Sequence, residues 1–191
     1  MSSKTRKSRA ASTASSSLSA LQPVDDAPFK RPSSVVFVWL TIFIVWMLSL
    51  LPWRAWGPAP ELLLLVIAFW CLHEPHKVNL LTAFVFGLLM DVHDAALLGT
   101  QALTYLLVAY GVLLLSRRLL YFNAVVQAIH LVPVFVIAMG IARLPSTWAA
   151  GGWMGWSWLG AALFTVALWP LIDFLLLMPR RRLDNADANS V

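Results

Sequence analysis

One cysteine, Cys71, stands in the whole chain. That excludes an intrachain disulfide and any metal cluster built on thiolates. Its place in an apolar run reads as a small packing residue. Charge is scarce too: charged residues make up 12% of the chain, against roughly a quarter in soluble proteins, so an ordinary water-soluble domain is excluded. There is no glycine-rich phosphate loop, and no serine lies beside a His–Asp pair. His73 and His76 flank Pro75 without the spacing or partner carboxylates of a metal site. No catalytic constellation is present, and no cofactor or metal is expected. The apolar runs, Glu61 to Trp70 above all, do not alternate with polar residues, which excludes a transmembrane β-barrel. No internal repeat stands out, so an inverted-repeat transporter is not indicated.

What is present is hydrocarbon. Hydrophobic residues make up 60% of 191, and the mean hydropathy is +0.75. The pattern predicts an all-α integral membrane protein of about six transmembrane helices, because backbone groups in lipid must pair within their own segment. Residues 1–33 read as a disordered basic, Ser-rich cytoplasmic tail, too poor in large apolar side chains to offset its ordering entropy. Met1 to Leu21 also has the look of an organelle transit peptide, but lacks an amphipathic stripe. No cleaved secretory signal is expected. Residues 34–179 read as the membrane domain, and 180–191 as a short basic then polar cytoplasmic tail.

The expected spans are about 35–51, 58–72, 78–91 or a little beyond, 95–115, 122–142 and 156–178. The second is short against the roughly 20 residues that cross a bilayer. Asp91 to Asp94 is expected as an outer turn. Arg143-Leu144-Pro145 closes the fifth span in this reading, and Pro179 stops the sixth. Twelve of the fourteen Lys and Arg residues then fall on one side; only Arg54 and Arg143 face the other. This is the positive-inside pattern, with both termini inside. Trp53, Trp56, Trp148, Trp153, Trp156 and Trp158 fall on the outer side, at headgroup depth where an indole suits both phases. The pI of about 9.9 reflects short basic clusters beside apolar runs. These suit anionic inner-leaflet lipid, and no nucleic-acid partner is expected.

Each ionisable residue in a span has a functional and a structural reading. Asp91 lies four residues after Gly87, on the same helix face. It reads as a clamp of the third and fourth spans near Gly99 and Thr100, as a partner contact, or as part of an ion path. Glu61, after Pro60, complements the start of the second span. Asp173 is expected to pair with an arginine such as Arg117 or Arg118. His130, three residues before Pro133 and the ionisable group nearest mid-membrane, reads as satisfying the carbonyl freed by that proline or a neighbouring one, or as a proton site. Gln101 and Gln127 are expected to hydrogen-bond between helices.

These residues fall into an ordered set. Pro60-Glu61 to Trp70, Glu74-Pro75-His76-Lys77-Val78-Asn79, Phe86-Gly87 to Asp91, Leu98-Gly99 and Ala102-Leu103 follow one another. Ala109-Tyr110, Gln127-Ala128 and Leu168-Trp169-Pro170 continue in order. Over about residues 35–180 the chain resembles the bacterial MreD family of rod shape-determining proteins. It departs in having Pro60-Glu61 where the family often has Pro-Asp or Pro-Asn, and in its long Ser-rich tail. The resemblance implies an inner-membrane component of the cell-wall elongation machinery, working with MreC, MreB, RodA and a penicillin-binding transpeptidase. It implies a fold like the substrate-binding components of vitamin uptake transporters, six helices around a central cavity.

Three function classes follow. A scaffold would present its helices to the MreC membrane helix through the small residues Gly87, Gly99, Ala102, Gly111 and Gly140. A small-molecule-binding or transporter subunit would use a cavity near His130, Gln101 and Gln127. An intramembrane enzyme has only scattered polar residues behind it. The structural or partner-contact candidates are therefore Pro60, Glu61, Gly87, Asp91, Gly99, His130, Trp169, Pro170 and Asp173.

Overall fold

The runs of leucine, valine and phenylalanine with few breakers fold as helices throughout. The computed structural model describes residues 34–51, 59–95, 97–152 and 155–188, with 149–150 and 179–188 described by backbone alone. The 1–33 tail, Trp53, Arg54, Trp56 and Trp153 lie outside the described residues. In chain order the helices are α1 (Val35–Ser49), α2 (Leu62–His73), α3 (Leu80–His93), α4 (Thr100–Leu119), α5 (Ala124–Ala150), α6 (Ser157–Ala167) and α7 (Trp169–Ala188).

Three stretches are long and apolar enough to cross a membrane: Thr100–Leu119, Ala124–Trp148 and Ser157–Met178, the last joining α6 to α7. The helices α1, α2 and α3 are shorter apolar segments. The protein is thus an all-helical membrane protein. Its periphery agrees: Trp39, Phe43, Ile44, Ile129, Ile137, Phe164, Leu171 and Phe174 are all exposed. Large apolar side chains exposed on α1, α5, α6 and α7 alike suit a surface that faces lipid.

The core sits on α2. Every residue from Leu63 to Leu72 is at most 1% exposed. A helix apolar all round is stable only when surrounded, and α2 meets α1, α3, α4, α6 and α7. The centre of the bundle is therefore filled by a helix. The remaining helices pack as successive antiparallel neighbours, α3 on α4, α4 on α5 and α5 on α6.

Several expected boundaries are corrected. Asp91 is not in a turn; α3 runs on to His93, and α4 starts only at Thr100. Pro145 does not close the fifth span, since α5 continues to Ala150. A proline removes one backbone donor, but hydroxyls can hold the turn around it. Here Ser146 Oγ donates to the Arg143 carbonyl at 2.8 Å and Thr147 Oγ1 to the Leu144 carbonyl at 2.7 Å. Pro179 likewise lies inside α7, whose backbone stays helical to Ala188. The sixth span, by contrast, is interrupted at Leu168. Pro170 has no N–H for the carbonyl one turn back and disfavours helical geometry at its predecessor. The resulting bend turns Trp169 into the core, where it is fully buried.

Candidate functional site

We call the end of the bundle that holds Lys77, Arg117 and Arg118 the basic end, and the opposite one the Asp91 end. The Asp91 end is built on one carboxylate. The first backbone N–H groups of any helix lack partners inside it, and the N-cap of α4 is Gly99, which has no side chain to offer. Asp91, in the last turn of α3, supplies the acceptor instead. Its Oδ2 accepts from Gly99 N at 2.9 Å and from Ala102 N at 3.0 Å, and its Oδ1 accepts from Gln101 N at 2.7 Å. The side chain is fully buried. Its two oxygens meet three donors at the positive end of the α4 dipole.

Two glycines permit this cap. Gly99 has φ +101°, a conformation that L side chains rarely adopt. At Gly87 a Cβ would stand 2.6 Å from Ala102 Cα, so only glycine lets α4 come close enough for Asp91 to reach its N-terminus. The other small residues are also spent within the chain: Gly111 faces Val134, Gly140 faces the Trp158 ring, and Ala102 is buried. Gly87 and Ala102 are buried against each other, while Gly111 and Gly140 are half-buried.

Polar pairs lock the other helices together. Pro60 is buried at the approach to α2. Glu61 takes the N-cap position, with no capping bond from its side chain, and its N–H donates to Thr165 Oγ1 of α6 at 2.9 Å. Trp70 Nε1 donates to Thr41 Oγ1 of α1 at 3.0 Å. At the basic end, Gln127 Nε2 donates to the carbonyls of Leu119 and Phe122, both at 3.0 Å. Its Oε1 accepts from Trp169 Nε1 of α7 at 3.0 Å. One buried amide thus joins the α4–α5 turn to the bend beside Pro170.

Asp173 faces His73, with Nε2 to Oδ1 at 4.0 Å, rather than the exposed Arg117 and Arg118. The His73 ring stacks on Phe69 at 4.2 Å, and Nδ1 lies 3.0 Å from the Phe69 carbonyl. In the turn beyond, Lys77 pairs with Glu74 at 3.3 Å. His130 is not interior: it is exposed, stacks on Phe122 at 5.3 Å and holds the Val126 carbonyl at 2.8 Å. The carbonyl it meets is thus not the one Pro133 frees. Gln101 is half-buried.

The sequence reading missed the Thr41–Trp70, Glu61–Thr165 and His73–Asp173 contacts. Threonines in apolar runs were the available signal for the first two. The third joins residues a hundred positions apart, and no spacing marks it. Among the described residues, no three metal-capable side chains stand together. These contacts join helices to one another.

Comparison with known proteins gives a consistent family. The sequence pattern described as rod shape-determining protein MreD matches residues 30–179. The rod shape-determining protein MreD of Haemophilus influenzae is 27% identical over 157 residues, covering 77% of this chain and 94% of that protein. No solved structure matches the chain.

Proposed function

We propose, on the premise that this chain belongs to the MreD family of rod shape-determining proteins, that it is a non-enzymatic scaffold in the bacterial inner membrane. In this reading it binds the membrane helix of MreC. Through that contact it organises peptidoglycan synthesis with MreB, RodA and a penicillin-binding transpeptidase. The chain crosses six times with both termini in the cytoplasm: Lys77, Arg117 and Arg118 share one end, as the positive-inside bias requires.

One observation carries the reading. Among the buried and half-buried polar groups, Asp91, Gln127, Thr41 and Thr165 make hydrogen bonds that join one helix or turn to another, while Thr104 bonds within its own helix. Such an interior is a fixed block rather than a reaction chamber. The central helix occupies the space that a transported molecule would need, which weighs against a vitamin-transporter-like cavity. On the outside, Val125, Ala128, Ile129, Val132, Val166 and Ala167 border an apolar groove of about 300 Å³ between α5 and the α6–α7 bend. Small side chains there allow close helix approach, which lipid-exposed helices need because lipid gives no hydrophobic drive to associate.

The test uses native membranes and a Cys71→Ala background. Single cysteines replacing Ile129, Val132 or Leu163 should crosslink to cysteines along the MreC helix, while one replacing Leu81 should not. Ala128→Phe, filling the groove, should reduce co-purification with MreC and round the cells. Uniform crosslinking at all four positions, or normal rods with full complex yield in Ala128→Phe, would refute the assignment.

A further inference from the structure

A second concavity lies at the Asp91 end, between the last turns of α5 and the start of α6. It encloses about 480 Å³ and is bordered by Gly140, Arg143, Leu144, Thr147, Trp148 and Trp158, with glycines of the intervening turn. The scaffold reading makes no use of it. Its wall is mixed in a specific way: one guanidinium and one hydroxyl beside leucine and two indoles.

The length of α5 sets its depth. Twenty-seven residues rise about 40 Å at 1.5 Å each, whereas the hydrocarbon core is about 30 Å thick and takes about 20 residues. Counted from Ala124, at the basic end, those residues end near Arg143. The last turns of α5 then lie in the headgroup layer. Indoles concentrate at this level, and an arginine there lays its stem on apolar surface with its charge at the polar boundary. Arg143 is the only Lys or Arg at this end among the described residues. A planar guanidinium fork matches phosphate oxygens in pairs, and the molecule that always carries phosphate at this depth is lipid. Gly140 and the Trp158 ring beside it extend the wall toward the hydrocarbon, as an amphiphile requires and a soluble anion does not.

We propose that this cavity binds an anionic phospholipid, its phosphate on Arg143 and its upper chain along Gly140 and Trp158. The inference needs the bilayer but not MreC, so it and the scaffold reading fail separately.

The test is native mass spectrometry of the full chain released from nanodiscs containing phosphatidylglycerol, phosphatidylcholine or both. Wild type should retain phosphatidylglycerol in preference to phosphatidylcholine. Arg143→Gln should lose about tenfold in retention, the worth of one charge-assisted contact, and Arg143→Lys should lose less. Gly140→Leu tests the apolar wall without touching the charge. A Cβ there meets Trp158 at an ordinary 3.5 Å, so the backbone tolerates it while the longer side chain occupies the cavity. If Arg143→Gln fails to fold, Gly140→Leu decides alone: loss of phosphatidylglycerol supports the site, and unchanged retention overturns it. Equal retention of both lipids by wild type, or displacement of the lipid by inorganic phosphate, also overturns it.

Discussion

Replacing Asp91 by alanine removes the acceptor for three backbone donors at once. The Ala102 N–H is buried, whereas those of Gly99 and Gln101 are part-buried. A buried donor stranded without a partner costs about 1–3 kcal/mol. Water reaching the other two reduces their loss to about 0.5–1.5 kcal/mol each, the net value of an ordinary hydrogen bond. Loss of the buried carboxylate also relieves its desolvation, which offsets part of the total. The expected cost is about 2–5 kcal/mol. Asp91→Asn should cost less, about 1–3 kcal/mol. Its amide oxygen can stay in the Oδ2 position, serving Gly99 and Ala102, but its NH₂ then meets the Gln101 N–H. Reversible unfolding in mixed micelles by SDS titration measures these differences directly. The order wild type, Asn, Ala is the signature of a cap read by acceptor count. Equal stability of all three proteins, or an alanine variant more stable than the asparagine one, would refute the reasoning.

Three further outcomes follow from the same contacts. Gln127→Leu should destabilise by about 1.5–4 kcal/mol, because it strands the buried Trp169 indole and the Phe122 carbonyl, whereas the Leu119 carbonyl keeps the Phe122 N–H at 3.0 Å. In a double-mutant cycle with Trp169→Phe, the Gln127–Trp169 pair should couple by about 1 kcal/mol, and additive losses would break the link. Gly87→Ala should harm more than Gly99→Ala, since its Cβ would meet backbone at 2.6 Å while the one at Gly99 meets nothing within 4 Å and suffers only its φ of +101°; folded yield on size-exclusion chromatography ranks them, and the reverse order contradicts the close α3–α4 approach. Pro145→Ala should leave stability unchanged or raise it, given that α5 already continues past the proline; a loss above about 1 kcal/mol would mean that Pro145 shapes the end of the helix after all.

The helical class and the approximate place of every hydrophobic segment were legible in the residues, because a long apolar run in lipid has one backbone solution. Asp91 was legible as an unusual group, since a carboxylate one turn after glycine in an apolar run needs donors. Boundaries were read less well, and the misreadings share a cause. Pro145 and Pro179 carry the rule of isolated helices in water, where a free carbonyl ends the helix at little cost; here the backbone stays helical past both prolines, and Ser146 and Thr147 hold the turn beside Pro145. The small residues were read as outward faces because a sequence does not say which neighbour a glycine accommodates. Gly87 and Gly111 accommodate Ala102 and Val134. Asp173 was assigned to arginines on charge alone, whereas the fold brings His73 to it from another helix.

The burial of α2 bears on how the protein is made. Its twelve residues rise only about 18 Å, well short of the lipid tails they would face if left alone. The neighbours that enclose it include α4, α6 and α7, all of which leave the ribosome later. Until they arrive, this segment must either thin the surrounding bilayer or wait in the insertion machinery. The later part of the gene product therefore completes the enclosure of a helix encoded in its first half, and termination before Thr100 removes three of the five helices that surround it.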